Sequence, residues 1–459
     1  MTMAARADDT TFDLPDASSS ASLGDIAPKS PYKFSLDAGN NTFLNAKTNY
    51  FGASQKSSEL DTVGVGVSRT DGPFFVNARW FYSAEENSQY FDVPELSREI
   101  KAPSFTLWIG RHRENWSSSD SFWQLGYWQP RFNWDGFRPT EDGMTGIFFE
   151  PSTGDRLKMT AFVSPFFLPE TDPNYQEVNN EIVSENPWFR NPPTVVDFRD
   201  QITAVQMGID TPNYASVVLR PSAGYKLDYQ ETPSATFHVA YAYKPMNTPI
   251  LGYDYHIFTD APSPYMNVSV EPRFDYEHIA TVENPWSVGN VTITPSITYD
   301  APQLSAVPST WIAQDLAQSW IGSLTANWNV NGDSEENIYG GGMYVLGNQP
   351  SDRGENAQVQ SEFGLRPQYL SALRVGYSFS RSYARGRTGS YSSEATWDPR
   401  LNGWELLNQY LYTWDRAWQA SIQADFLGIF SQPTGIQQEG WFALYRSNSE
   451  ASLNLAYVF

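Results

Sequence analysis

Four histidines are the only imidazoles in the chain, His112, His238, His256 and His278, and cysteine is absent. Without Cys, thiol catalysis, Cys-ligated zinc, iron–sulfur clusters and a disulfide scaffold are excluded. The histidines assemble no nucleophile: only His238 falls on a regular segment, and neither Ser234 nor Thr236 beside it completes a triad motif. Glu271 and Asp275 form a carboxylate pair too common in type and spacing to argue glycosidase chemistry. No Gly-rich phosphate loop and no spaced metal-ligand set is present. The chemistry on offer is non-covalent, so neither an enzyme nor a cofactor is expected.

The densest group of charged and aromatic side chains lies at 111–143. It holds Arg111, His112, Arg113, Arg131 and Arg138 with Asp135, Glu141 and Asp142, interleaved with Trp116, Trp123, Trp128, Phe132, Trp134 and Phe137. A loop of this composition sets cations, carboxylates and ring faces around one passage. That suits sugars, whose C–H faces stack on rings while their hydroxyls take charge-assisted hydrogen bonds. The competing reading makes Trp123, Leu125 and Tyr127 the apolar face of one more strand. Both are retained in part, with 121–128 as a strand and 129–143 as a constricting loop. A second stretch, 166–200, is acidic and Pro-rich, with Glu170, Asp172, Glu177, Glu181, Glu185, Asp197 and Asp200. It is a candidate for divalent cations or a lid, beside the plain reading of a solvated loop.

The elements that must carry these residues follow from composition and period. Of 459 residues, 15% are aromatic and only 18% are charged, against roughly 25% charged in an average soluble protein. Mean hydropathy is nonetheless −0.47, because Ser, Thr, Asn, Gln, Gly and Tyr replace the missing charge. After residue 30, strand-like segments recur between Gly, Pro, Asn and Asp clusters. Val63, Val65 and Val67 alternate with Gly64, Gly66 and Ser68. Val76, Ala78, Trp80 and Tyr82 alternate with Asn77, Arg79 and Phe81. Phe237, Val239, Tyr241 and Tyr243 oppose His238 and Lys244, and Leu373, Val375 and Tyr377 oppose Arg374 and Gly376. Val268, Val270, Phe274 and Tyr276 oppose Glu271, Arg273 and Asp275, and Trp418, Ala420, Ile422 and Phe426 oppose Gln419, Ser421 and Asp425. Period two puts each set on its own face of a strand.

The apolar sets run for about nine residues, enough to cross a bilayer tilted and longer than the modal soluble strand. They often end in Trp or Tyr, the residues of membrane–water girdles. No stretch approaches the ~20 apolar residues of a spanning helix, which a β-spanning chain does not need. The uneven connections, tight near Asn213 and Trp414-Asp415-Arg416 but long at 112–143, 166–200, 244–265, 300–318 and 348–356, fit short turns at one end and long loops at the other.

The chain ends Leu453-Asn454-Leu455-Ala456-Tyr457-Val458-Phe459, with Leu453, Leu455, Tyr457 and Phe459 on one face. This resembles the assembly signal of outer-membrane β-barrels of Gram-negative bacteria. The resemblance implies a last strand, marked by Tyr457 and Phe459, that the barrel-assembly machinery recognises and that then pairs with the first. Leu107-Trp108-Ile109-Gly110-Arg111, followed by Asp135-Gly136 and a strand near Gly143–Phe149, is also similar to a pattern of porins and alginate-export-type barrels. There a Gly-Arg strand end precedes a pore-constricting loop.

The fold expected is all-β: a closed antiparallel transmembrane β-barrel of about eighteen strands, sixteen to twenty, over 31–459, with a flexible tail at 1–30. The inward faces would then line a charged lumen through Arg79, Lys158, Arg220, Lys226, Glu271, Arg273, Arg374 and Asp425, with Arg111, Arg113, Arg131, Asp135, Arg138, Glu141 and Asp142 at the constriction. The function expected is an outer-membrane channel passing a saccharide, ion or secreted polymer by diffusion. The alternatives are a plugged barrel with a surface, adhesion or structural role, and a soluble all-β glycan-binding protein or enzyme. Expected partners are outer-membrane lipid and lipopolysaccharide, and the outward apolar faces also allow a homo-oligomer. A net charge of −22 argues against nucleic acid. No leader is visible at Met1, which on this reading means a mature chain whose signal peptide has been removed.

Overall fold

The structure, a computed structural model, describes residues 31–44, 58–70, 72–154, 156–192, 194–198, 201–259, 264–308, 311–314, 316–330, 335–347, 366–383, 387–414, 417–434, 437–438 and 440–459. The alternating segments form eighteen wall strands. The first six are β1 (Lys33–Phe43), β2 (Glu59–Arg69), β3 (Phe74–Ser83), β4 (Ser88–Ala102), β5 (Phe105–His112) and β6 (Met144–Pro151). Next come β7 (Leu157–Ser164), β8 (Ser222–Thr232), β9 (Ala235–Pro245), β10 (Tyr276–Glu283), β11 (Val291–Gln303) and β12 (Ser319–Asn329). The last are β13 (Glu336–Gly347), β14 (Leu373–Tyr383), β15 (Arg387–Asp398), β16 (Gly403–Trp414), β17 (Trp418–Ile429) and β18 (Glu450–Val458).

Each strand pairs antiparallel with the next. β18 returns to β1, from Ser35 opposite Val458 to Phe43 opposite Glu450, so the wall has no free edge to leave unsatisfied in hydrocarbon. Long connections, among them 113–143, 165–221, 246–275, 304–318 and 430–449, emerge at one rim, and the opposite rim carries mainly short turns.

The side-chain faces follow the sequence period. Val63, Val65, Ile297, Leu324, Val375, Ile422 and Leu453 are exposed on the outside, whereas Thr62, Thr281, Thr298, Ser323, Ser421 and Ser452 are buried on the lumen side. Rings end the apolar belt at both rims. Tyr299 packs on Trp320 near the loop rim. At the turn rim, Trp414, Trp418, Tyr457, Phe459 and Phe34 form a continuous series across the closing seam. From Trp320 to Trp328, a strand tilted by about 40° rises about 20 Å, near the height of a barrel's apolar band.

Three expectations are corrected. Residues 121–128 are not a wall strand: Ser118–Trp123 is a short helix and the following residues turn back inside the barrel. The alternation at 265–273 is a true strand, but it belongs to a five-stranded sheet at the loop rim, with 195–198, 201–209, 250–258 and 312–313. Its pairing with 201–209 is parallel, and Ile182, Val205, Met207, Val268 and Val270 form a core of its own. Asn213 is not a strand-to-strand turn but caps the short helix Tyr214–Val218. The tail at 1–30, the loop at 348–356, Asp200 and the turn residues Asp415 and Arg416 lie outside the described residues.

Candidate functional site

The connection 113–143 leaves β5, crosses the lumen and returns to β6. Its feet are held together: Arg111 donates through Nη2 to Asp142 Oδ2 at 2.9 Å and through Nε to the Gly143 carbonyl at 3.0 Å. The Gly143 N–H donates to the Pro94 carbonyl of β4 at 2.9 Å. Gly110, at φ +123°, supplies a strand-end conformation that a side chain would strain, and a Cβ there would meet the Leu96 carbonyl at 2.3 Å.

The loop then folds on itself. Ser117 caps the helix by accepting from the Asp120 N–H at 3.1 Å. The wall completes that cap. Glu283 on β10 accepts from Ser117 Oγ at 2.7 Å and from the N–H groups of Ser118 and Ser119 at 3.0 Å each, satisfying donors that a helix start leaves open. Gln124, left-handed at φ 53°, ends the helix. The Asp120 carboxylate closes the next turn by accepting from Tyr127 and Trp128 N–H groups at 3.2 and 3.3 Å. Burial pushes its carboxyl up to about 6, against those two hydrogen bonds.

Side chains fasten the loop to the wall almost all the way round. Trp123 Nε1 donates to Ser323 Oγ of β12 and Trp128 Nε1 to Thr281 Oγ1 of β10, each at 2.9 Å. Trp134 Nε1 donates to Glu86 Oε2, between β3 and β4, at 2.7 Å. Arg138 makes a two-pronged pair with Asp425 of β17, at 2.8 and 3.1 Å. Arg374 of β14 donates to the Phe122 carbonyl at 2.6 Å, and Lys226 of β8 pairs with Glu114. Trp116 stacks on Trp128 at 5.4 Å, and Trp116, Trp123 and Trp128 are all exposed by 1% or less. This is a diaphragm across the lumen, not a rim loop.

Other loops rest on it. Arg366 pairs with Glu277 and Asp300, the latter at 2.7 Å, with its guanidinium 4.5 Å over the Tyr127 ring. Tyr369 donates to Glu405 at 2.6 Å. Trp188 of loop 165–221 stacks on Trp441 of 430–449 at 5.2 Å, and Phe137 meets Trp188 edge-on at 4.8 Å. Gly136 lies against both indoles, where a Cβ would come within 2.4 and 2.6 Å. Toward the turn rim the lumen face opens to water: the Lys158 side chain is 54% exposed and that of Arg79 33%.

Of the residues expected from sequence, Arg79, Lys158, Lys226, Arg374 and Asp425 lie on the lumen face of the wall. Arg79 pairs there with Asp37 at 2.5 Å and Lys158 with Glu150 at 3.2 Å. Arg111, Arg113, Arg131, Asp135, Arg138, Glu141 and Asp142 lie in the diaphragm or its feet. Arg131 ties it to loop 165–221 through Glu170 at 2.9 Å, and Glu141 accepts from Gln129 and from Ser121, the latter at 3.3 Å. Arg220 sits at the loop rim below β8, bonded to the Ser216 and Phe274 carbonyls. Glu271 and Arg273 are off the wall, in the five-stranded sheet, where Arg273 pairs with Asp275 at 2.8 Å. Tyr457 and Phe459 face outward at the closing seam. Glu283, Glu277, Asp300, Lys244, Glu405 and Asp120 went unnoticed among candidates. Lys244 already stands on the polar face read for β9, and Glu283, Glu277, Asp300 and Glu405 lie on period-two lumen faces that extending the alternation through β10, β11 and β16 reaches. Asp120 carried only the Ser-x-x-Asp spacing of a helix cap.

No family model and no curated protein matches the chain. Among solved structures it is similar to two Acinetobacter baumannii proteins, OccAB4 and OccAB1. Each is 10% identical over 93% of this chain and 97% and 95% of theirs, with TM-scores of 0.44 and 0.45. It is also similar to Wzi of Escherichia coli, an outer-membrane protein involved in group 1 capsule assembly and a carbohydrate-binding β-barrel, at 8% identity over 93% of this chain and 84% of that one, TM-score 0.41. The strand pairing, the apolar outer belt and its two aromatic girdles together make the chain a closed eighteen-stranded transmembrane barrel, with a loop diaphragm across its lumen.

Proposed function

We propose that the chain is an outer-membrane channel for a hydrophilic solute, shut at its loop end by the 113–143 diaphragm and opened when the diaphragm leaves the wall. The carrying observation is how the diaphragm is held. Within the loop the only strand pairing among the described residues is the two-residue hairpin of Arg131–Phe132 with Thr140–Glu141. A single bridge joins Phe132 to Thr171 of loop 165–221, and apart from the Gly143–Pro94 backbone bond at its foot its attachments to the wall described above are made by side chains. Such contacts break singly at about 1–3 kcal/mol each, whereas a strand ladder would have to be unzipped. An eighteen-stranded barrel is also wider than its own side chains can fill, so the loop, not the wall, determines whether a path exists. Polar lumen walls on the open side suit ions, saccharides or a secreted polymer.

A second reading is favoured by one observation, the lock of Trp188, Trp441 and Phe137 over the loop. It makes the barrel a permanently plugged platform for the five-stranded sheet. Planar-bilayer conductance of the refolded chain separates the two. Discrete openings support the channel, and an inserted, heat-modifiable barrel that never conducts under any voltage or pH supports the platform.

A further inference from the structure

At the tip of the diaphragm, carboxylates outnumber cations. Asp425 on β17 and Glu450 on β18 stand directly opposite each other, both on the lumen face, at 0% and 1% exposure. Like charges in that position repel across the ladder. Asp135 of the loop acts on the same pair. The facing cation is Arg138, whose fork is occupied by Asp425. Asp425 also accepts from the Asn408 N–H of β16 at 2.9 Å, and Asp135 from the Phe137 N–H at 2.9 Å. Glu450 has neither a guanidinium nor a backbone N–H: its buried oxygens have only the Trp188 indole turned toward them among the described residues. Loop 165–221 presents the Trp188 indole toward it and 430–449 adds Trp441 against Trp188; neither indole carries charge. Tyr339 of β13 lies within electrostatic reach of Arg138.

Fully ionised, three carboxylates against one guanidinium leave two uncompensated negative charges in a site shut off from water. A buried site does not hold such charge without cost; it takes up a proton instead. The proton also removes the repulsion between the facing Asp425 and Glu450.

We propose that Asp135, Asp425 and Glu450 form a proton-binding latch: the diaphragm docks with proton uptake at its tip, and losing that proton releases the tip from β17 and β18. The latch rests on the channel reading only for its consequence, the opening of a path. Burial pushes the Asp135 carboxyl up to about 6, Asp425 adding to it against the pull of Arg138. Asp142, at the loop's foot, shifts the same way, held well above the usual carboxyl range by burial and then by Asp92, against Arg111 and Arg113. A carboxyl that binds its proton more tightly in the docked form favours docking in acid. The docked-to-released ratio then falls by up to about tenfold per pH unit per proton between pH ~4 and the raised value.

The test uses a single thiol in a chain that has none. Thr140 is 6% exposed within the loop hairpin, so T140C reports release by its alkylation rate, normalised at each pH to the same variant unfolded. In the full chain refolded in detergent, the normalised rate is expected to rise at least a hundredfold from pH 5 to pH 7, about tenfold of it from the raised Asp120 carboxyl elsewhere in the loop. E450Q, which carries the neutral shape permanently, is expected to remove at least tenfold of that rise. Asp135→Asn is the second variant should E450Q fail the heat-modifiability check for folding. A flat rate from pH 4.5 to 7.5, or an undiminished rise in both neutral variants, overturns the latch. Conductance at the same pH values keeps the two ideas apart. Labelling that rises without any conductance leaves the latch standing and removes the channel. Steady conductance with flat labelling does the reverse.

Discussion

Replacing Arg138 by Gln removes the cation that joins the diaphragm to β17. In the native chain both prongs of the guanidinium reach Asp425, which is fully buried. The shorter, neutral amide of R138Q could return at most one hydrogen bond, leaving Asp425 facing Glu450 and Asp135 without a counter-charge. Removing one partner of a buried pair costs about 3–5 kcal/mol, less about 1 for a surviving hydrogen bond. The net of roughly 2–4 kcal/mol is a shift of about thirtyfold to a thousandfold in the docked-to-released ratio. The wall keeps its ladders, so R138Q should still insert and remain heat-modifiable. Open probability in planar bilayers at pH 7 should rise by at least tenfold over the native chain. R138K, a point charge without the fork, should fall between them. Adding Asp425→Asn to R138Q should restore part of the closure, because the stranded carboxylate is gone. An R138Q channel as closed as the native one would refute the argument that this pair holds the diaphragm.

Trp123→Phe loses the hydrogen bond to Ser323 and part of a buried ring and should loosen docking by about 1–2 kcal/mol, while Trp123→Ala opens a larger cavity and should cost about 3–5; thiol protection at T140C reads both, and equal effects would contradict the packing. Gly136→Ala drives a methyl into Trp188 and Trp441, so it should expose those indoles, seen as a red-shifted and more quenchable tryptophan emission. Asp120 gives a pH dependence of known sign: its docked carboxyl is raised to about 6 from an ordinary ~4, so docking is strongest in acid and weakens by roughly 2 kcal/mol as pH rises from 4 to 6. Acid-enhanced release would contradict it. Lumen-face carboxylates Asp37, Glu150, Glu277, Glu283, Asp300, Glu405, Asp425 and Glu450 outweigh Arg79, Lys158, Lys226, Lys244 and Arg374, so the open path should prefer cations, read as the sign of the reversal potential in a salt gradient.

The wall was legible because lipid on one side and water on the other impose a strict period of two for the whole length of a strand. Val63–Val67 and Leu453–Tyr457 announce both face and direction. The diaphragm was half legible. Its composition marked 111–143, yet Trp123, Leu125 and Tyr127 also alternate, and a packed interior loop can place rings at every second position without being a strand. What separates the two is local: Ser117 three residues before Asp120 starts a helix, and Gly126, at φ 69°, turns the chain where a strand would run on. At 265–273 the period was read correctly as a strand and assigned to the wrong sheet, because alternation records that one face is covered, not by what. Long-range partners such as Glu283 with the helix start, 164–166 positions apart in sequence, leave no local signal at all.

Closure of the lumen rests on residues 113–143. The most direct measurement is single-channel conductance of a barrel in which 115–141 is replaced by a short Gly-Ser linker, against the native chain at the same pH and salt. A steady, several-fold larger conductance is expected from the excised barrel and mostly closed behaviour from the native one. Equal conductance from a correctly inserted, heat-modifiable pair would contradict it.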